Sequence, residues 1–159
     1  MSFVSSIIVV EDISRSRRLY EDILRLKVIA DFGIYNVAFE GGLSMYRKDF
    51  LQGLIGERVD LARHNNVILY FEIDDLEELE KEIDRNRFDF IHKIKEQPWR
   101  QKNFRFYDLD HHVLEIAEKM HVVTDRLLKQ GNSLEEISGL TGLPVDQVLL
   151  ELENHKEAG

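Results

Sequence analysis

No cysteine occurs anywhere in the chain, which excludes disulfide staples, thiol nucleophiles and zinc–thiolate centres and suits a reducing compartment. No apolar run approaches the roughly 18 residues that span a bilayer. The N-terminus also lacks a basic segment followed by a long apolar core, so a cytoplasmic location and no membrane partner are expected. Positive charge is scarce: 21 Lys and Arg stand against 30 Asp and Glu, a net charge of -9. A generic nucleic-acid or anionic-membrane binder needs the opposite balance. Tryptophan occurs once, at Trp99. Apolar material is not lacking. With 43% hydrophobic content, 159 residues suffice for one sizeable core and an appendage.

The order of elements reads twice over. Ile7-Ile8-Val9-Val10 is a β-branched run that ends in Glu11-Asp12, with a helix expected from about Ser14. Ile68 to Ile73 ends in Asp74-Asp75, with a helix expected from about Leu76. Leu19 and Ile23 repeat at helical spacing in the first helix, as do Leu76, Leu79 and Ile83 in the second. Asp12 or Ser14, and Asp74 or Asp75, suit the N-cap, where a side-chain oxygen accepts a first-turn amide. Strands are expected over Lys27–Phe32, Tyr35–Glu40 and Leu43–Lys48, with turns at Gly33 and Gly41-Gly42. In the second half they fall at Phe88–Ile94, Asn103–Tyr107 and His112–Ala117. Each half is β-α-β-β-β, a repeat of roughly 60 residues. Two copies are expected to share one sheet. Asp49 to Asn65 joins them, a partly helical loop whose Leu51, Leu54 and Ile55 should cover something.

One stretch stands out: Phe104-Arg-Phe-Tyr-Asp108-Leu-Asp110-His-His-Val-Leu-Glu115-Ile-Ala-Glu118. Strand periodicity puts Val113, Glu115 and Ala117 on one face and Leu114 and Ile116 on the other. A carboxylate among apolar neighbours points to a polar cavity, a metal or a cationic partner. The alternative is a strand with one wet face, which antiparallel sheets permit.

Four stretches together resemble the vicinal oxygen chelate superfamily, which includes glyoxalase I, bleomycin-resistance proteins, fosfomycin-resistance enzymes and extradiol dioxygenases. They are Val10-Glu-Asp-Ile-Ser-Arg-Ser-Arg-Arg-Leu-Tyr20-Glu-Asp-Ile-Leu24, Phe71-Glu-Ile-Asp-Asp-Leu76, Pro98-Trp99-Arg100-Gln101 and Asp108-Leu-Asp110-His-His-Val-Leu-Glu115. The resemblance covers residues 1–118 and implies an α+β fold, two βαβββ modules forming an incomplete barrel around a cavity. It also implies four metal-ligand positions. Carried over singly, they fall at Ser5, Ile68, the stretch Ser44 to Tyr46, and Glu115. Isoleucine cannot ligate a cation and one carboxylate is too few, so neither metal nor other cofactor is expected.

The histidines offer no substitute. His111 and His112 are adjacent at a turn and strand, so regular geometry points them to opposite faces. His64, His92, His121 and His155 show no ligand spacing.

The resemblance places Arg105 on the strand beside Glu115, facing the same interior. There a guanidinium would hold the carboxylate ionised and could anchor an anionic ligand. The alternative for Arg105 is a surface strand position. Trp99 and Arg100 would form the cavity rim, Tyr46 would add a phenol, and Tyr107 completes the ligand-binding set. Trp99 serves a pocket wall or a core equally well.

Residues 119–159 change character to helix. Val122, Val123, Leu127 and Leu128 form one amphipathic stretch; Ser133 and Glu136 make a capping box. Gly142-Leu143-Pro144 turns the chain into a last helix from Val145 to Leu152. Ile137, Leu140, Leu143, Val148 and Leu152 should share a small core. The pattern resembles a helix-turn-helix, but four Lys or Arg against seven Asp or Glu do not suit DNA reading. The tail is expected to dock on its own domain or on a partner subunit, burying Leu127, Leu128, Val148 and Leu152.

The expected function is metal-independent binding of a small, possibly anionic molecule, by a homodimer without nucleic-acid partners. The alternatives are a lyase or isomerase using Glu115 as general base, and a regulatory protein acting through the tail.

Overall fold

The computed structural model describes residues 1–63 and 65–158, with the backbone alone for 155–158. The first module runs β1 (Ser6–Val10), α1 (Ile13–Arg17), β2 (Val28–Asp31), β3 (Asn36–Phe39) and β4 (Leu43–Arg47). A connecting helix α2 (Lys48–Ile55) follows. The second module runs β5 (Ile68–Ile73), α3 (Leu76–Arg85), β6 (Asp89–Glu96), β7 (Lys102–Tyr107) and β8 (Val113–Glu118). Three helices end the chain: α4 (Met120–Lys129), α5 (Leu134–Thr141) and α6 (Val145–Ala158). This is the expected α+β order. No helix among the described residues is long and apolar enough to cross a membrane.

The strands form two separate four-stranded sheets, ordered β1-β4-β3-β2 and β5-β8-β7-β6, rather than one shared sheet. Each module satisfies its own backbone through a crossover and two hairpins. In the first sheet β1 runs parallel to β4, while β2, β3 and β4 are antiparallel. The chain forms two compact units. The first holds Met1–Ile68, Arg85–Asp89 and Tyr107–Val113; the second holds Leu69–Asp84, Phe90–Phe106 and everything from Leu114.

In the first unit Val10, Val37, Phe39 and Met45 are fully buried on one sheet face, as is Tyr20 of the helical segment. Burying each such side chain contributes about 1.5–3 kcal/mol. Asp12 caps α1 by accepting the Arg15 amide at 2.8 Å. The helix then widens into a π-helical stretch, Arg18–Ile23. A side chain at Gly42 would be strained: its φ is +85°, and a Cβ would lie 3.0 Å from the Val4 carbonyl oxygen. No residue of α2 is buried, and Leu54 and Ile55 are exposed, against the expectation of a covering loop. Its Phe50 ring does reach those of Tyr35 and Tyr46.

In the second unit Leu76, Leu79 and Ile83 form the buried stripe of α3. Asp75 caps that helix through the Glu78 amide at 3.0 Å. Phe104, Phe106, Leu114 and Ile116 are fully buried.

The tail builds its core from its own residues. Val123, Leu127, Ile137 and Val148 are buried, with Met120, Leu134, Leu140, Leu143 and Leu152 packed against them. The core expected of Ile137, Leu140, Leu143, Val148 and Leu152 thus forms, and the tail lies in the same compact unit as Leu69–Asp84 and Phe90–Phe106. Three helices closing on one another supply its walls. Leu128 is exposed, not buried. Neighbours on a helix lie about 100° apart, and with Leu127 turned inward Leu128 is left outside. The capping box forms as expected, Ser133 Oγ accepting the Glu136 amide and Glu136 the Ser133 amide.

Candidate ligand-binding site

The second unit carries a chain of polar contacts centred on Glu115. Glu115 is buried on β8. Its Oε1 accepts from Asn103 Nδ2 at 2.5 Å and its Oε2 from Arg105 Nε at 2.6 Å. Asn103 and Arg105 share a face because they are two apart on β7. Asn103 in turn accepts from Gln97 Nε2 at 2.6 Å. Arg105 Nη1 lies 3.2 Å from His92 Nε2. A guanidinium only donates, so that nitrogen accepts. His92 Nδ1 then carries the proton and donates to the Lys93 carbonyl at 2.9 Å.

A second line of contacts begins at Trp99. Its Nε1 donates to Gln101 Oε1 at 2.8 Å. The buried Gln101 amide donates to the Tyr70 hydroxyl at 2.9 Å and to the Glu118 carbonyl at 2.8 Å. Tyr70 donates onward to Glu72 at 2.7 Å. Its phenol is pushed up to about 12, first by burial and then by the carboxylate of Glu72.

Not every expected residue joins this cluster. Arg100 pairs with Glu96 at 3.0 Å and holds a left-handed backbone, φ +70°. Tyr107 belongs to the first unit, where its hydroxyl donates to Asn65 at 2.8 Å and the Arg63 guanidinium lies 4.3 Å from its ring centre. Tyr46 is also in the first unit, its ring centre 5.6 Å from that of Phe50. Gln101, Asn103 and Tyr70 were not foreseen. A signal was there: Gln101, Asn103, Arg105 and Tyr107 form an unbroken polar alternation into and along β7.

The resemblance puts the ligand positions at Ser5, Ser44 to Tyr46, Ile68 and Glu115, and each has its own surroundings. Ser5 and Ser44 bond to each other, Oγ to Oγ, at 2.9 Å. The Ile68 side chain has no donor atom, and each oxygen of Glu115 accepts one hydrogen bond. Among the described residues no group of three or more His, Cys, Asp or Glu could hold a metal.

The expectation that His111 and His112 face apart does not hold. Both line one cavity of about 220 Å³ in the first unit. His111 has φ +69°, so strand alternation does not apply at that residue. His64 and the His155 side chain lie outside the described residues.

Residues 3–121 match the model of the Glyoxalase-like domain. The chain belongs to the glyoxalase-like family. A protein of unknown function from Agrobacterium tumefaciens is 36% identical, with a TM-score of 0.67 over 75% of this chain and 94% of that one. Lactoylglutathione lyase from the same organism shares the fold at 14% identity, with a TM-score of 0.59 over 75% of this chain and 94% of that one. The fosfomycin resistance protein FosX of Listeria monocytogenes does so at 18% identity, with a TM-score of 0.56 over 75% and 93% of the two chains. No curated protein matches the sequence. The tail from Val122 lies beyond the family match.

Proposed function

We propose that this glyoxalase-like protein binds a small anionic molecule without a metal, in the second unit, using Arg105 as the cationic anchor. The observation that carries this reading is the Asn103–Glu115–Arg105 cluster. In it, the carboxylate that a relative would offer to a metal is held by two protein donors. The Arg105 side chain keeps 23% of its surface open. A partly desolvated guanidinium suits a carboxylate or phosphate, which it can take by charge-assisted hydrogen bonds. Tyr70 and Trp99, both partly exposed, add aromatic surface in the same unit.

The alternative, Glu115 as general base for a lyase or isomerase, must use the lone pairs that these contacts leave open, one on each oxygen. A base needs a lone pair aimed at substrate, within hydrogen-bond reach of the proton it takes. Here Asn103 and Arg105 each engage one carboxylate oxygen. The acidic tail makes DNA reading a poor fit, and a homodimer remains part of the proposal.

Native mass spectrometry of freshly purified protein, with a library of small carboxylates and phosphates, tests the reading. Elemental analysis of the same sample accompanies it. The expected result is an anion that binds wild type and not Arg105→Leu, with no stoichiometric transition metal. About one Ni, Zn, Fe or Mn per chain, lost on Glu115→Ala, would overturn it.

A further inference from the structure

The turn between β7 and β8 holds a second polar group that the Arg105 cluster does not use. It sits entirely in the first unit, where a cavity of about 220 Å³ is lined by Ile7, Val9, Leu61 and Val67 together with His111 and His112. The partners of the two imidazoles settle which nitrogen carries the proton. His111 Nδ1 lies 2.9 Å from the Leu61 carbonyl oxygen. A carbonyl only accepts, so Nδ1 is the donor. His112 Nδ1 lies 2.8 Å from Asp108 Oδ2. Asp108 also accepts from the buried Tyr20 hydroxyl at 2.8 Å and from the Asp110 and His112 amides at 2.9 and 2.8 Å. Surrounded by donors, that carboxylate takes the His112 Nδ1 proton as one more. When a ring is neutral, its Nε2 is therefore the acceptor.

The other acidic groups in the wall are engaged elsewhere. Asp110 accepts from the Glu11 amide and from Ser16 Oγ, and Asp60 from the Ala62 amide. The cavity thus offers apolar walls, two imidazole acceptors of fixed tautomer, and the amides of Asn65 and Asn66, of which Asn65 Oδ1 already accepts from the Tyr107 hydroxyl. His111 reaches it from a backbone at φ +69°, a conformation that glycine would hold with less strain.

We propose that His111 and His112 form a binding site for a small neutral molecule with one apolar ring and a hydroxyl donor, a phenol in chemical class. The volume suits a single ring, being below the roughly 300–1,000 Å³ of sites that hold drug-sized ligands. Apolar walls take the ring, and an Nε2 lone pair takes the hydroxyl. Tyr20 and Asp108 act behind His112 as positioning residues.

Phenol and toluene are the probes, because they differ mainly in the hydroxyl. Long-range proton–nitrogen NMR on the full chain should find both imidazoles in the Nδ1–H form at mildly alkaline pH. Phenol should shift the Nε2 resonances of His111 and His112 saturably, and toluene should not. His111→Gly keeps the turn and relieves its backbone, so it should fold with an unchanged or higher Tm while binding phenol about tenfold more weakly. His112→Gln should weaken phenol similarly. Nε2–H tautomers in both rings, toluene binding as well as phenol, or wild-type phenol affinity in both folded variants would each overturn the proposal.

Discussion

Arg126 grips Glu118 with both arms of its guanidinium, Nη1 lying 2.9 Å from Oε2 and Nη2 2.8 Å from Oε1. Glu118 ends β8 and is buried; Arg126 stands on α4. The same Nη2 donates to the Arg100 carbonyl at 2.6 Å. One residue of the tail therefore ties down the end of the second sheet and the turn that carries Trp99.

Arg126→Met should cost about 3 kcal/mol, because it leaves a buried carboxylate without its charged partner. The helical circular dichroism should persist, since the apolar core of the tail is untouched. Trp99 fluorescence should change, because the turn loses its anchor on Arg100. Urea unfolding and emission spectra check both points, and an unchanged midpoint with unchanged emission would refute them.

Tyr70→Phe gives the pH prediction. The Tyr70 phenol is held up at about 12 by burial and by Glu72, whereas an unfolded tyrosine ionises near ~10. The native state thus binds this proton more tightly than the unfolded one. Its contribution to stability is fully present below the unfolded value and is lost as pH rises from about 10 towards about 12. Ultraviolet titration of tyrosinate should lose a late component in Tyr70→Phe. Loss of an early component instead would contradict the assignment.

Leu127 and Leu128 are neighbours with opposite fates. Leu127→Ala empties part of the tail core and should cost about 2–5 kcal/mol. Leu128→Ala, on the exposed side, should stay within about 0.5 kcal/mol of wild type. Urea midpoints for the pair decide whether the tail core closes on itself. Equal costs would mean that Leu128 is covered in solution.

Asn103→Leu keeps the branched outline of the side chain while removing a donor to Glu115 and an acceptor for Gln97. Leaving buried polar groups short of partners should cost about 2 kcal/mol. Glu115→Gln in the Asn103→Leu background should cost less than in wild type, because the two residues share one contact. A double-mutant cycle with no coupling would show that the contact is absent in solution.

Local chemistry written in the sequence determined much of this molecule. The twofold β-α-β-β-β order, the caps at Asp12 and Asp75, the Leu76–Leu79–Ile83 stripe and the Ser133–Glu136 capping box all depend on residues within a turn or two of each other. Pattern and spacing are sufficient for such features. The pairing of Arg105 with Glu115 came from the family resemblance, which placed the two on neighbouring strands facing one interior, and the two do bond. Other features needed the folded chain. Gln101 finds Tyr70 and Glu118, and Arg126 finds Arg100, across separations that no periodicity encodes. Arg100 turned to Glu96, and His111 took a left-handed backbone that brought it to the same cavity as His112. The strands divided into two sheets, and Leu128 was left exposed beside the buried Leu127. Such outcomes depend on which distant groups compete for the same donor or the same space, and only tertiary packing resolves that competition.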